Sequence, residues 1–249
     1  MESFSWFLML PFVHGNHDLD AIIGSWCVFL VITILAVVAK GQLKAATAKV
    51  GYEAYVPDDK FTARTFFELM SEGVLSIMRN IMGHGAHKWF ALIFAIFIYI
   101  LFCNLMGVLP GFLPPTENVN TNVAVALLVF LIYNAAGIRE HGVVNYFKHF
   151  LGPMIWLAPL ILPVEIISHI ARPLSLTVRL TGNINGDHIV LGIFSNVLPG
   201  PTALDLQFLS LGIPVPFLAL GIFVSFMQAF VFALLTTVYI SMAVAHEEH

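Results

Sequence analysis

Two apolar runs of unusual length occupy the last third of the chain, from about Trp156 to Val197 and from about Phe208 to Val244. As helices rising 1.5 Å per residue, runs of about 36 to 40 residues would each be about 55 Å long. The hydrocarbon core of a bilayer is only about 30 Å thick, so neither helix could stand upright in it. Each must tilt far over, break, or do both, and the prolines of the first run permit kinks. The sequence therefore predicts a C-terminal hairpin of two long, strongly tilted helices.

The composition leaves only one class of protein. Of the 249 residues, 59% are hydrophobic and 10% are charged, against roughly 25% charged in a typical soluble domain. The polar surface needed to cover such a core in water is missing, so lipid must solvate much of it. A net charge of −4 without a basic cluster excludes a nucleic-acid partner. We predict an all-α polytopic membrane protein.

Three shorter apolar runs predict roughly upright transmembrane helices, over about 19–39, 89–108 and 123–138. Between the first two, apolar residues recur at helical spacing from Phe66 to Ile81, which predicts an amphipathic helix on the membrane surface. We treat residues 1–249 as a single membrane domain. Its parts are an external N-terminus with the first span (1–39), a cytoplasmic segment with the surface helix (40–88), a transmembrane hairpin (89–138) and the long tilted hairpin (152–245).

The basic residues predict the orientation. Nine of the eleven Lys and Arg residues lie in segments 40–88 and 139–148, and none lies in 1–18, 109–120 or 198–207. Because loops rich in Lys and Arg stay in the cytoplasm, the N-terminus is predicted outside and the C-terminus inside.

The remaining two basic residues, Arg172 and Arg179, lie within the first long apolar run. A mid-membrane Arg costs at least about 2.5–3.5 kcal/mol and cannot shed its proton, so it needs a polar or charged partner. Asp187 is offset from Arg179 by roughly 80° around a helix, and Glu165 lies about 21 Å from Arg179 along the helix axis, so neither acid is well placed to pair with it. A partner on another chain is favoured over an ion pair within this helix.

A helical wheel gathers most of the polar residues of this run on one stripe. At about 100° per residue, a set of six lies within about 40° of Arg179, whereas His188 projects about 180° away. A helix with polar groups on two faces can meet a partner with one and line a water path with the other. The six are Glu165, Ser168, Arg172, Ser175, Asn183 and Gly186.

The stretch RPLSLTVRLTGNINGDH, residues 172–188, closely resembles the signature of subunit a of F-type ATP synthases. Ser175, Arg179, Leu180, Gly182 and Asn183 match that signature, while Thr181 replaces its usual aromatic residue. The stretch QAFVFALLTTVYISMA from Gln228, the stretch NLMGVLP from Asn104 and the Glu-Glu-His terminus are similar to the same family. The resemblance extends from about residue 60 to 249.

The resemblance implies a non-catalytic stator subunit that carries protons to and from the carboxylates of a rotating ring of subunit c. Arg179 would face those carboxylates, favour their deprotonation and prevent a proton short-circuit between two half-channels. Peripheral-stalk subunit b and the other ATP synthase subunits would be further partners, and the location would be the bacterial inner membrane. By resemblance, the outer path takes Asn183, Asp187, His188 and Gln228, and the inner path takes Glu165, Ser168, His169 and Ser175. Acids that relatives often carry near Gly107 and Asn118 are absent here, so we expect Asn118, Asn120, Asn122 and Glu117 to line the outer vestibule instead.

Other chemistry is less well supported by the sequence. Three H-x-x-H pairs, including His84/His87, lack Cys or acidic neighbours, so we predict no metal site and no cofactor. No phosphate loop or nucleophile elbow occurs, and the chain should hydrolyse nothing itself. Two alternatives remain open: a stand-alone ion channel or transporter, and a haem- or quinone-binding subunit of a respiratory complex, for which only His169 and His188 lie deep enough.

Overall fold

The computed structural model describes Phe7 and residues 17–47, 62–109, 112–149, 158–197 and 214–244. Side chains are described for Phe7 and for residues 18–44, 62–109, 112–146, 158–182, 186 and 218–244. Within these ranges all regular secondary structure is helical, which confirms the predicted all-α class. The α-helices are α1 (His17–Thr47), α2 (Ala63–Met82), α3 (Ala86–Met106), α4 (Val119–His141), α5 (Val143–His149), α6 (Ala158–Val197) and α7 (Pro214–Val244).

Local sequence signals mark the helix ends. The Thr62 hydroxyl accepts a hydrogen bond from the Thr65 N–H at the start of α2, and the Asn118 side chain accepts one from the Asn120 N–H at the start of α4. These side chains satisfy N–H groups that have no partner within the helix. Gly83 and Gly142 end the same two helices at φ of 57° and 77°, where a side chain would be strained.

Among the residues that the structure describes, five helical stretches are long and apolar enough to cross a membrane. The three predicted upright spans fall within α1, α3 and α4, although the second ends as a helix at Met106 rather than at residue 108. The amphipathic helix predicted between Phe66 and Ile81 is present as α2. The five stretches are Asp18–Lys44, Ala63–Met106, which joins α2 to α3, Val119–His141, Ala158–Gly182 and Leu218–Val244.

The first long helix of the C-terminal pair has the length that its apolar run predicts. Helix α6 continues for 40 residues, with Pro163 and Pro173 inside it. Helix α7 is described over 31 residues from Pro214, and the six positions before it, 208–213, lie outside the described residues. The strong tilt of the two helices in a bilayer remains a prediction.

Helix α3 forms the centre of the bundle and packs against α1, α2 and α7. Its Ile93, Phe97 and Ile100 are almost fully buried in a core shared with Leu180 of α6 and Ile240 of α7. At its start Lys88 lies 3.8 Å from Glu140 of α4, so the basic end of α3 meets the charged end of α4. Among the described residues α3 packs mainly against α7, and α4 packs against α6 and α7, so the transmembrane hairpin of residues 89–138 remains a prediction.

The amphipathic helix α2 is more closely integrated into the bundle than its sequence pattern indicates. Its Val74 and Met78 are buried, and the Phe66 ring lies 6.3 Å from that of Phe102, near the far end of α3. At its other end, the Ser241 hydroxyl of α7 donates to the Ile81 carbonyl at 3.5 Å. The apolar face of α2 is therefore covered by protein, while its position relative to the membrane surface remains a prediction.

Gly137 is the point of closest approach between α4, α5 and α7. A Cβ at this position would lie 2.5 Å from Cε2 of Tyr146 and 3.1 Å from the carbonyl oxygen of Ala243. The Tyr146 ring cannot easily retreat, because it is buried and its hydroxyl donates to Asn134. Small residues at such contacts allow membrane helices to pack closely.

We predict that Gly137→Ala lowers the free energy of unfolding by about 1–3 kcal/mol, the usual cost of overpacking. Thermal unfolding of the purified chain in detergent would measure it. Gly73→Ala is the matched control, since a Cβ there has no atom within 4 Å and gains helix propensity. Equal melting temperatures for the two variants would contradict the close contact.

Candidate functional site

Arg179 lies on the open side of α6. Its side chain is exposed, and it forms no hydrogen bond or ion pair with any residue that the structure describes. Leu176 and Leu180, about 60° and 100° from Arg179 around the helix, are buried in the core at 2% and 0% exposure. The packing of these leucines fixes the rotation of α6 and places Arg179 at the edge of the exposed face.

The exposed face beside Arg179 is apolar apart from two serines. Ser168 and Ser175 are both exposed, and both lie within about 40° of Arg179 around the helix. The rest of this face consists of aliphatic side chains that are 52–71% exposed: Leu160, Val164, Ile167, Ile170, Leu174 and Val178. An apolar face of this length needs lipid or another protein to cover it.

The predicted polar stripe of α6 divides into two groups in the structure. Ser168, Ser175 and Arg179 are exposed, whereas Glu165 and Arg172 are half-buried and line a cavity of about 160 Å³. His169 lines the same cavity, with Tyr133 of α4, Tyr146 of α5 and residues Met242 and Ala243 of α7. The four predicted inner-path residues therefore lie in two neighbouring places. Glu165 and His169 line the cavity, and Ser168 and Ser175 lie on the exposed face of α6.

Arg172 is held by aromatic rings. Its guanidinium carbon lies 6.0 Å from the centre of the Tyr133 ring and 5.4 Å from that of the Tyr239 ring. The negative face of an aromatic ring attracts a cation at such distances. Two arginines on one helix therefore have different surroundings, since Arg172 is covered by tyrosines and Arg179 is exposed.

His169 belongs to a hydrogen-bond network that joins three helices. The Asn134 side-chain N–H donates to the Phe130 carbonyl at 2.6 Å, which directs the Asn134 side-chain oxygen at His169 and Tyr146. That oxygen accepts from His169 Nε2 at 2.8 Å and from the Tyr146 hydroxyl at 2.7 Å. The neutral imidazole must therefore carry its proton on Nε2.

Tyr146 stays protonated in this network. Burial raises the pKa of its phenol above the ordinary value, and the positive charge of Arg172 opposes the rise only in part. At neutral pH the hydroxyl is therefore a donor, as its bond to Asn134 requires. The network fixes the histidine ring on the cavity wall.

A second buried network connects α6 to the opposite end of the bundle. The Asn122 side-chain N–H donates to the Thr116 carbonyl and to the Thr181 hydroxyl, both at 2.7 Å, and the Thr116 hydroxyl donates to the side-chain oxygen of Asn104 at 2.8 Å. Within the described ranges, Asn104 Nδ2 and Asn122 Oδ1 each retain capacity for a further hydrogen bond. Thr181 is two residues beyond Arg179, so this network ties down the helix at the arginine.

The structure separates the predicted outer-path residues. Asn118 caps α4 and also donates to Asp18 of α1 at 2.7 Å, while Asn120 is exposed. Gln228 is buried at 5% exposure on α7. The backbone of Asn183, Asp187 and His188 continues α6, but their side chains lie outside the described residues.

No group of three potential metal ligands comes together among the described residues. The His87 ring of the described H-x-x-H pair is 3.3 Å from an Arg79 guanidinium nitrogen. His169 uses its Nε2 on Asn134, which disfavours the haem alternative at that position.

Known proteins similar to this chain share a single description. A family model described as ATP synthase A chain matches residues 22–241. The chain belongs to the ATP synthase A chain family. ATP synthase subunit a of Bdellovibrio bacteriovorus is 40% identical over 248 residues, covering 98% of this chain and 99% of that protein. The proteins of the same name from Trichlorobacter lovleyi (39% over 246 residues, 96% of each chain) and Geotalea uraniireducens (40% over 233 residues, 94% of this chain and 91% of that protein) are also similar.

Membership of this family confirms the resemblance seen around Arg179. With its five apolar helical stretches, the chain is a membrane protein of the ATP synthase A chain family. Several residues around the candidate site were given no role from the sequence: Tyr133, Asn134, Tyr146 and Tyr239 near Arg172, and Thr116 and Thr181 near Asn122. Polar side chains inside apolar spans were an available signal, because such groups usually bond across helices.

We predict that Thr181→Val lowers the free energy of unfolding by about 1–2 kcal/mol, because a buried Asn122 N–H loses its acceptor. Thr181→Ser should retain most of the stability, since the hydroxyl is kept. Thermal unfolding of the purified chain measures both. Thr121→Val, a similar change at a half-buried neighbour of Asn122, is the control, and an equal loss in Thr121→Val would argue against the hydrogen bond as the cause.

Proposed function

We propose that this chain is the proton-translocating stator subunit of an F-type ATP synthase, and that Arg179 faces the carboxylates of a rotating ring of subunit c. Membership of the ATP synthase A chain family supports the role. The observation that carries the proposal is the exposed Arg179 guanidinium, without a partner among the described residues, at the edge of an apolar helix face. A permanently charged group in that setting requires an acid or water supplied from outside the bundle.

The chemistry follows from a fixed positive charge beside a moving acid. A carboxylic acid carried through lipid is favoured in its protonated form, because burial penalises the charged form. When the acid comes within about 4–6 Å of Arg179, the opposite charge favours proton loss. Arg179 also repels a proton that would pass directly between the two access paths, so net flow requires rotation.

The two paths are assigned from the sequence and from the surroundings of each residue. On the inner side we propose Glu165 and His169 at the cavity, with Ser168 and Ser175 on the open face beside Arg179. On the outer side we propose Asn183, Asp187, His188 and Gln228, with Asn118 and Asn120 nearer the surface. The buried Asn104–Thr116–Asn122 network supports a polar outer end of the bundle, since the Asn104 Nδ2 donor and the Asn122 Oδ1 acceptor have no partner among the described residues.

Membership of an F-type ATP synthase would determine which subunits this chain contacts and in which membrane it lies. The chain itself performs no covalent chemistry, and the catalytic sites lie on other subunits. The open face of α6 would contact the subunit c ring, and subunit b of the peripheral stalk and the other ATP synthase subunits would complete the complex. We propose the bacterial inner membrane, with the N-terminus external and the C-terminus cytoplasmic, because the Lys- and Arg-rich segments then lie inside.

We predict that Arg179→Ala abolishes proton-driven ATP synthesis in membrane vesicles while the complex still assembles. Arg179→Lys should fail as well, because a compact ammonium lacks the reach of the guanidinium and can lose its proton. ATP synthesis driven by an imposed proton gradient measures the effect, with assembly checked by purification of the complex. Arg139→Ala removes an exposed arginine at the end of α4 and should keep the parent rate.

Coupled synthesis at the parent rate by the assembled Arg179→Ala complex would contradict the proposed role. Proton flux through the purified chain alone in liposomes, at a rate that matches the complex, would favour the stand-alone channel. The stator role predicts little flux without the ring.

A further inference from the structure

Glu165 and Arg172 line the same cavity, yet no ion pair joins these two described side chains. Helix geometry would permit one. The residues are seven positions apart, about 10.5 Å along the axis and within about 20° around it. Side chains on a helix lean towards its N-terminus, so Arg172 leans towards Glu165. An extended guanidinium and carboxylate could close that gap.

Two tyrosine rings lie against the Arg172 guanidinium. The Arg172 guanidinium carbon lies 5.4 Å from the Tyr239 ring centre and 6.0 Å from the Tyr133 ring centre. Tyr133 is 1% exposed and its ring packs against His169 at 5.3 Å, so its position is fixed by the core. The Tyr133 and Tyr239 rings are 6.0 Å apart, and the cation is held against both.

We propose that Tyr133 and Tyr239 are positioning residues of the inner proton path, which hold Arg172 against their rings and so prevent it from pairing with Glu165. The carboxyl group of Glu165 thereby remains able to bind and release protons within the cavity. This inference rests on the proposed function, because it concerns the path that carries protons between the ring and the inner side.

The surroundings of Glu165 suit proton exchange. The cavity of about 160 Å³ has room for several water molecules. A guanidinium at ion-pair distance would favour the charged carboxylate and oppose its protonation. The titratable and charged groups that face the cavity are Tyr133 from α4, Tyr146 from α5, His169 and Arg172 from α6 and, through Arg172, Tyr239 from α7.

Two substitutions of Tyr239 distinguish the contribution of its aromatic ring from that of its hydroxyl group. Tyr239→Leu removes the π face on one side of Arg172, and Tyr239→Phe keeps it. We expect Tyr239→Leu to slow proton-driven ATP synthesis and to move its dependence on inner pH to lower pH by about one unit or more, the effect of a new opposite charge beside a carboxyl group. Tyr239→Phe should keep the parent profile. Tyr239→Met, which fills the space without a π face, serves if the leucine variant does not assemble.

A second substitution tests whether the misplaced charge is the cause. In the Tyr239→Leu background, Arg172→Gln removes the guanidinium and should return the pH profile towards that of the parent. The proposal is overturned if assembled Tyr239→Leu and Tyr239→Phe complexes share one profile, or if the shift persists after Arg172→Gln. The Arg179→Ala complex is measured in the same assay. If it synthesises ATP at the parent rate, the proposed function is overturned. If it is inactive but the Tyr239→Leu complex keeps the parent pH profile, only the present inference is overturned.

Discussion

The proposed function of this chain depends on one charge, that of the Arg179 guanidinium. Arg179 is a permanent cation on the exposed side of a helix in an apolar setting, and the described part of the chain provides no partner for it. Arg172, seven residues earlier on the same helix, is covered by Tyr133 and Tyr239. Among the described residues, the two arginines therefore have different surroundings. Because an Arg in lipid costs at least about 2.5–3.5 kcal/mol, the proposed function supplies Arg179 with an acid or water from outside the bundle.

The rest of the fold holds α6 so that this difference persists. Leu176 and Leu180 bury one side of the helix, the Asn122–Thr181 hydrogen bond fixes it beyond Arg179, and the Asn134–His169 hydrogen bond fixes it before Arg172. All of these contacts lie on the bundle side. The opposite side carries exposed aliphatic residues and two serines, a surface that another apolar protein can slide past without breaking specific bonds.

The sequence predicted those features that depend on local pattern. The apolar runs located the spanning helices, and helical spacing between Phe66 and Ile81 predicted α2. The 40-residue length of α6 agreed with its apolar run in spite of two internal prolines. The helical wheel placed Glu165, Ser168, Arg172 and Ser175 on one stripe with Arg179, but the pattern alone could not show that Glu165 and Arg172 line a cavity with α4 and α7 while the serines are exposed.

Contacts between distant segments were not predictable from a single sequence. Tyr133 and Tyr239 are more than a hundred residues apart, and nothing in their local context indicates a shared cation. Asn118 was assigned to an outer vestibule, whereas the structure also uses it as the cap of α4 and as a donor to Asp18. Helix α2 was expected to lie on the membrane surface, and its apolar face packs against α3 and α7, because an amphipathic pattern does not specify what covers it.

Disulfide crosslinking between α6 and the rotor ring tests most directly whether the Arg179 side of the helix faces a partner. In a chain with Cys27 and Cys103 replaced by alanine, a single cysteine would stand at Ser175, which is exposed, or at Thr177, which is 7% exposed. Paired with a cysteine beside the ring carboxylate, Ser175→Cys should crosslink upon oxidation and Thr177→Cys should not. Crosslinking at Thr177 without crosslinking at Ser175 would show that Arg179 is directed away from the ring and would contradict the account.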